Sequence, residues 1–148
     1  VQLKLKPRST AGWTMSVFGV LAAGMGIVGL ISPDTLIGMM GFAAEPAGGR
    51  ADGDHTTTFL TASSMAALNM GVYYVLAAGA DWKAFFRWTV PFRLLTFTVF
   101  TLAVLADRAP AGFIGVGLWE GIGALATAVA LRRDKRAESA ATAAGARA

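Results

Sequence analysis

Residues 113–136 read FIGVGLWEGIGALATAVALRRDKR, and the reading of this stretch decides the fold. Its first nineteen positions are almost all apolar or small, and the run ends on Arg132, Arg133, Lys135 and Arg136. About 20 such residues suffice for a helix to cross a hydrocarbon core. One carboxylate, Glu120, interrupts the run. An ionised group at the centre of a spanning helix costs about 2.5–3.5 kcal/mol on insertion scales, so Glu120 calls for a partner.

Three more apolar runs lie upstream, and together the spans fall at about residues 13–31, 59–80, 88–106 and 111–131. None alternates with period two, and backbone in lipid must be helical or closed into a barrel. The expectation is an all-α integral membrane protein: an antiparallel four-helix bundle occupying residues 1–136, followed by a flexible Ala-rich tail at 137–148. Bulk composition agrees. The chain is 55% hydrophobic and 15% charged, with its 18 glycines set mainly inside apolar runs rather than in polar linkers. Mean hydropathy is +0.55, too apolar for a soluble domain of 148 residues. Cysteine is absent, which excludes disulfides, thiolate metal centres and cysteine nucleophiles.

The connections fit this frame. Asp81-Trp82-Lys83 is a short polar hinge, and Asp107-Arg108-Ala109-Pro110 a tight turn whose proline suits the start of the fourth helix. Between the first two spans, SPDTLIGMMGF begins with a helix-opening Ser-Pro-Asp. It continues with Leu36, Ile37, Met39, Met40 and Phe42, the pattern of a short amphipathic segment at a membrane interface. A polar loop, AAEPAGGRADGDHTTT, follows.

Charge predicts orientation. Lys4, Lys6 and Arg8 precede the first span, Lys83 and Arg87 flank the hinge, and the basic run follows the fourth. The opposite side carries Arg50 and Arg108 among Asp34, Glu45, Asp52, Asp54 and Asp107. The positive-inside bias puts both termini in the cytoplasm, with Trp13, Trp82 and Trp88 at boundaries. The implied partner is the lipid bilayer. Nucleic acid is not a partner, because the cations mark membrane edges and form no basic stripe with interleaved aromatics. The opening Lys4–Arg8 and apolar run resemble a signal peptide, but the run is longer than a cleavable one and is read as the first span.

Arg93 and Glu120 are the ionisable groups other than tyrosine well inside the spans. Measured from the tight turn at 1.5 Å per residue, Arg93 lies about 21 Å down its helix and Glu120 about 15 Å down its own, a mismatch an arginine spans. Asn69 and Arg93 lie nearly equally far from Trp82 in the hinge, with Tyr73 one turn from Asn69 and Trp119 beside Glu120. The expectation is a polar centre of Arg93, Glu120, Asn69, Tyr73 and Trp119, either architectural or ligand-binding. The bland alternative is an Arg93 that snorkels to the surface beside a protonated Glu120.

Small-residue strips predict helix contacts: Gly117 and Gly121 on the fourth span, Ala22 and Gly26 on the first, and Ser63, Ala67 and Gly71 on the second. These serve packing within one bundle or between copies. His55, with Asp52 and Asp54, makes a weak metal signal and is read as a solvated loop, with Thr56 or Thr57 capping the helix that follows. A haem ligand is not apparent, since Met15, Met25, Met65 and Met70 read as core filler. Ser63 and Ser64 have no histidine base at their depth. No reaction signature emerges, and the cofactor is left open.

The run at 70–100, MGVYYVLAAGADWKAFFRWTVPFRLLTFTVF, followed by Pro and GVGLWEGIGALATAVALRR, resembles a group of small bacterial four-helix inner-membrane proteins. The matching positions are Gly71, Tyr74, Arg93, Glu120, Gly123 and Ala124, with Glu120 where that group usually has Asp. The architecture is also similar to that of DoxX-like proteins. The resemblance implies a bacterial inner-membrane location and brings no activity with it. The functional expectation is a structural or accessory membrane protein, a subunit or partner of a larger complex or a homo-oligomer. The alternative is a small-molecule carrier with a Glu-Arg-Asn site coupled to protonation.

Overall fold

The computed structural model describes residues 6–43 and 49–147. Helix α1 spans Thr10–Ile31, α2 Pro33–Met39, α3 Thr56–Gly79 and α4 Lys83–Leu105; a 3₁₀ turn at Ala111–Phe113 leads into α5, Ile114–Gly145. Four helices, all but α2, are long and apolar enough to cross a membrane. Their outward surface is apolar as well, exposing Val20, Ile27, Phe59, Phe92, Leu95 and Ile122. Such continuous apolar cover would drive aggregation in water and is what lipid requires. The described residues are all-helical without strands, and by length and composition the four helices suit a multi-pass membrane protein.

Helices α1, α3 and α4 begin three to five residues before the expected spans, at Thr10, Thr56 and Lys83. Polar residues at these starts (Thr10, Thr56–Thr58, and Lys83 with Arg87) fall outside an apolar run although the backbone is already helical. Ser9 caps α1 by accepting the Gly12 amide at 3.0 Å. At α3 the cap comes from Asp54, which accepts the Thr56 amide at 2.7 Å. This corrects the expectation that Thr56 or Thr57 performs it. Arg50 lies 3.4 Å from Asp54 and 3.6 Å from Asp34, tying α2 to the start of α3. Thr56 and then Arg50 hold the Asp54 carboxyl below its ordinary 3.8. The expectations for Lys4 and Glu45 lie outside the described residues.

Helix α5 departs from expectation at its far end. Instead of a flexible tail from residue 137, the helix continues to Gly145. Alanine is the strongest helix former, so an Ala-rich stretch extends a helix already nucleated upstream.

Packing centres on α1. Its closest neighbour is α3, and the seam between them is made by residues without side-chain bulk. A Cβ on Gly26 would lie 2.6 Å from the Leu68 nitrogen and the Ser64 carbonyl, and one on Gly71 would lie 2.5 Å from the Gly19 carbonyl. The strips expected from sequence are adjusted here. Gly26 and Gly71 lie in the seam, whereas Ala22 and Ala67 are half-buried. Ser63 is exposed and bonds its own helix at Leu60, leaving buried Ser64 to meet Gly29. The 3.6-residue period moves a four-residue spacing steadily off the contact line, which accounts for the shift.

Helix α5 packs on α4 by the same device. Gly117 and Gly121 face Phe97, with Gly121 close enough that a Cβ would stand 3.1 Å from the ring. The short α2 buries Leu36 and Ile37 against Leu60, Met25 and Val28. Both tight turns carry an aspartate in the left-handed region, Asp81 at φ 50° and Asp107 at φ 54°, where Asp is among the better tolerated residues.

Two outcomes follow from this packing. Gly26→Leu is expected to cost about 1–3 kcal/mol or more in denaturant titration of the detergent-solubilised protein, while Gly24→Leu, which meets open space, does not lower stability. In an NMR titration Asp54 is expected to deprotonate below pH 3.8. Because its folded pKa is depressed, the cap's contribution is present above that value. It is lost as the pH falls through the folded pKa, with faster amide exchange in the first turn of α3.

Candidate functional site

Two polar assemblies join the helices. The first gathers at the end where α1 starts and α3 turns into α4. Asp134, on α5, accepts the Thr10 amide at 3.1 Å and the Ala11 amide at 2.9 Å, and so caps α1 from a different helix. Ser9 donates to Asp81, and Lys83 pairs with Glu138 on α5. Two orphan amides of the helix start are thereby satisfied by an acid of α5, while the hinge acid Asp81 accepts the hydroxyl of the capping Ser9.

The second assembly lies inside the bundle. Arg93 on α4 is 3% exposed, and its Nε donates to Glu120 Oε2 on α5 at 2.8 Å. The guanidinium carbon stands 4.1 Å from the centre of the Phe18 ring on α1, a cation–π contact in a dry setting. Trp119 packs on the same ring, with centroids 4.4 Å apart and planes tilted by 52°. The far amine, Nη2, occupies the space a Gly123 side chain would need, and the Phe18 edge would also meet that side chain. Nη1 is buried without a partner among the described residues. The Glu120 side chain is 25% exposed, making it the more accessible member of the pair.

One turn toward the first assembly, Thr89 donates to the Met15 sulfur at 3.7 Å, and the Thr127 hydroxyl lies 3.2 Å from that of Thr14. Three helices, α1, α4 and α5, are thus cross-linked by polar contacts through the interior.

The residues expected in one centre divide into two groups. Arg93, Glu120 and Trp119 come together. Asn69 and Tyr73 do not: both are exposed on α3. Their expected convergence rested on α3 and α4 staying adjacent beyond the hinge. They meet there, where Tyr74 sets its edge on Phe85 at 5.9 Å, but α3 then follows the glycine seam of α1. Tyr74, one position and about 100° round the helix from Tyr73, is the tyrosine that turns inward, packing against the core cluster of Met15, Ala78 and Phe86.

Sequence reasoning did not find Phe18 or the gap at Gly123 as parts of the site. The available signal was stoichiometric: one carboxylate cannot serve all five guanidinium N–H groups, so a π face was due. Nothing distinguished Phe18 from eight other phenylalanines.

Elsewhere, a groove of about 1020 Å³ runs past Ile37, Phe42, Arg50, His55 and Phe59, away from the ion pair. No cluster of metal-ligating side chains occurs among the described residues. Compared with protein-family models, curated proteins and solved structures, the chain gives no match. The resemblance drawn above therefore rests on the quoted residues alone.

The packing around the cation can be tested at its smallest residue. Gly123→Ala is expected to lower stability by about 1–3 kcal/mol in detergent by displacing the guanidinium from Phe18. Gly115→Ala, with open space around it, is expected to be silent.

Proposed function

We propose that this chain is an accessory or structural protein of a bacterial inner membrane, with its four spans antiparallel and both termini cytoplasmic. Supporting this orientation, Lys83, Arg87, Arg132 and Arg133 gather at the end that carries exposed Trp13, Trp82 and Trp88. In this reading the short α2 lies at the opposite interface.

The observation that carries the accessory role is the enclosure of Arg93. Its guanidinium is paired with Glu120, laid on Phe18 and limited by Gly123. A carrier needs a charge that exchanges partners during its cycle, and here the arginine is held by packing on three sides. A buried ion pair specifies an arrangement more than it stabilises one. The role that suits it is to fix the register of α1, α4 and α5, so that the bundle presents a constant outer face to a larger assembly.

A double-mutant cycle tests this reading. Glu120→Gln and Arg93→Leu are each expected to cost about 1–3 kcal/mol, less than the about 3–5 kcal/mol of a wholly buried pair because Glu120 is part-exposed. Combined, they should recover most of the loss. Proteins that co-purify after gentle extraction should be lost in the single variants and regained in the double. If Glu120→Gln instead leaves stability and co-purification intact while abolishing pH-dependent uptake of a small molecule into vesicles, the protein is a carrier.

A further inference from the structure

The centre of α3 carries a polar side chain on its outer surface. Asn69 lies thirteen residues into a helix of 24, is exposed, and makes no side-chain hydrogen bond among the described residues. Read as a membrane span, α3 sets this amide in hydrocarbon, where an unpaired amide costs at least as much as in a protein interior. The residues along the same line are Ala62, Ala66, Asn69, Tyr73 and Leu76, all exposed. Their spacing, four then three then four then three, is the heptad seam by which helices wind together. Small residues hold the half nearer the start of α3, where backbones can approach closely; Tyr73 and Leu76 hold the other.

We propose that this face of α3 binds the same face of a second copy of the chain, with the two Asn69 amides hydrogen-bonded to one another. The inference rests on the membrane reading and extends it to a specific partner. A second copy fits for a reason of hydrogen-bond complementarity. Copies of one chain insert in the same direction, so each brings Asn69 to the same depth, and a two-fold axis along the membrane normal sets amide against amide. An amide is its own complement, since each presents a carbonyl oxygen to the other's N–H. A different protein would need an unpaired polar group at that depth. The interface is isologous and closes at two copies. One polar residue at a core position of such a seam fixes register and number of strands, the role Asn69 takes.

The chain lacks cysteine, so single cysteines report contacts directly. In phospholipid vesicles, Ala66→Cys and Leu76→Cys are expected to form disulfide-linked dimers on oxidation, whereas Leu95→Cys, exposed on α4, is not. Energy transfer between labelled copies should show Asn69→Leu associating about tenfold more weakly, with Asn69→Gln keeping most of the affinity. Helix content by circular dichroism should be unchanged, because Asn69 lies off the packed seams. Monomers at the same density, Asn69→Leu associating as tightly as the parent, or cross-linking to a protein of another mass would each overturn the proposal. The accessory reading would survive these outcomes, since its own test lies at Arg93 and Glu120. A chain released from membranes by alkaline wash would overturn both.

Discussion

A guanidinium placed between a carboxylate and an aromatic face is the contact on which the arrangement of this molecule depends. Arg93 is buried, and its 2.8 Å bond to Glu120 and its seat on Phe18 involve three different helices. Any sliding of α4 against α5 would separate the charges. Any rotation of α1 would withdraw the ring. Apolar contacts between membrane helices resist such movements weakly, since lipid tails are as apolar as leucine. Polar contacts in the same medium have few substitutes, so a single well-formed one governs register over a whole span.

Around that point the chain divides its work between residues that hold and residues that yield. Glycines at 19, 26 and 71 let α1 and α3 approach until backbone meets backbone, and Gly121 on α5 makes room for the Phe97 ring. The acids at the other assembly act differently. Asp134 and Asp81 satisfy the start of α1 from outside its own helix, so its N-terminal end is fixed relative to α5 and to the hinge. Small residues set the distance between helices, and charged ones set the rotation and height.

The sequence made the spans legible because apolar length is a property of composition alone. The Arg93–Glu120 pairing was legible for a related reason: charges in lipid are few, and counting from a tight turn places them within reach. Asn69 and Tyr73 were misplaced because a short turn constrains two helices only near the turn. Farther along, the path of α3 is chosen by glycines on α1, a contact distant in sequence. Phe18 had no signature among the other aromatics, and its role appears only once its ring is seen beneath the cation. The helical course of residues 137–145 was missed because alanines and a few charges also describe a frayed tail. What decides between them is a nucleated helix immediately upstream, bonded at Asp134 and Glu138.

Helix α5 has a mechanical consequence. It is one uninterrupted element from Ile114 to Gly145, about 48 Å at 1.5 Å per residue. Glu120 sits near one end, and the anchors to the start of α1 and to Lys83 lie well along toward the other. A twist imposed on the exposed far turns is therefore delivered along a stiff shaft, with no joint at which it could dissipate. Anything that grips those turns also grips the carboxylate inside.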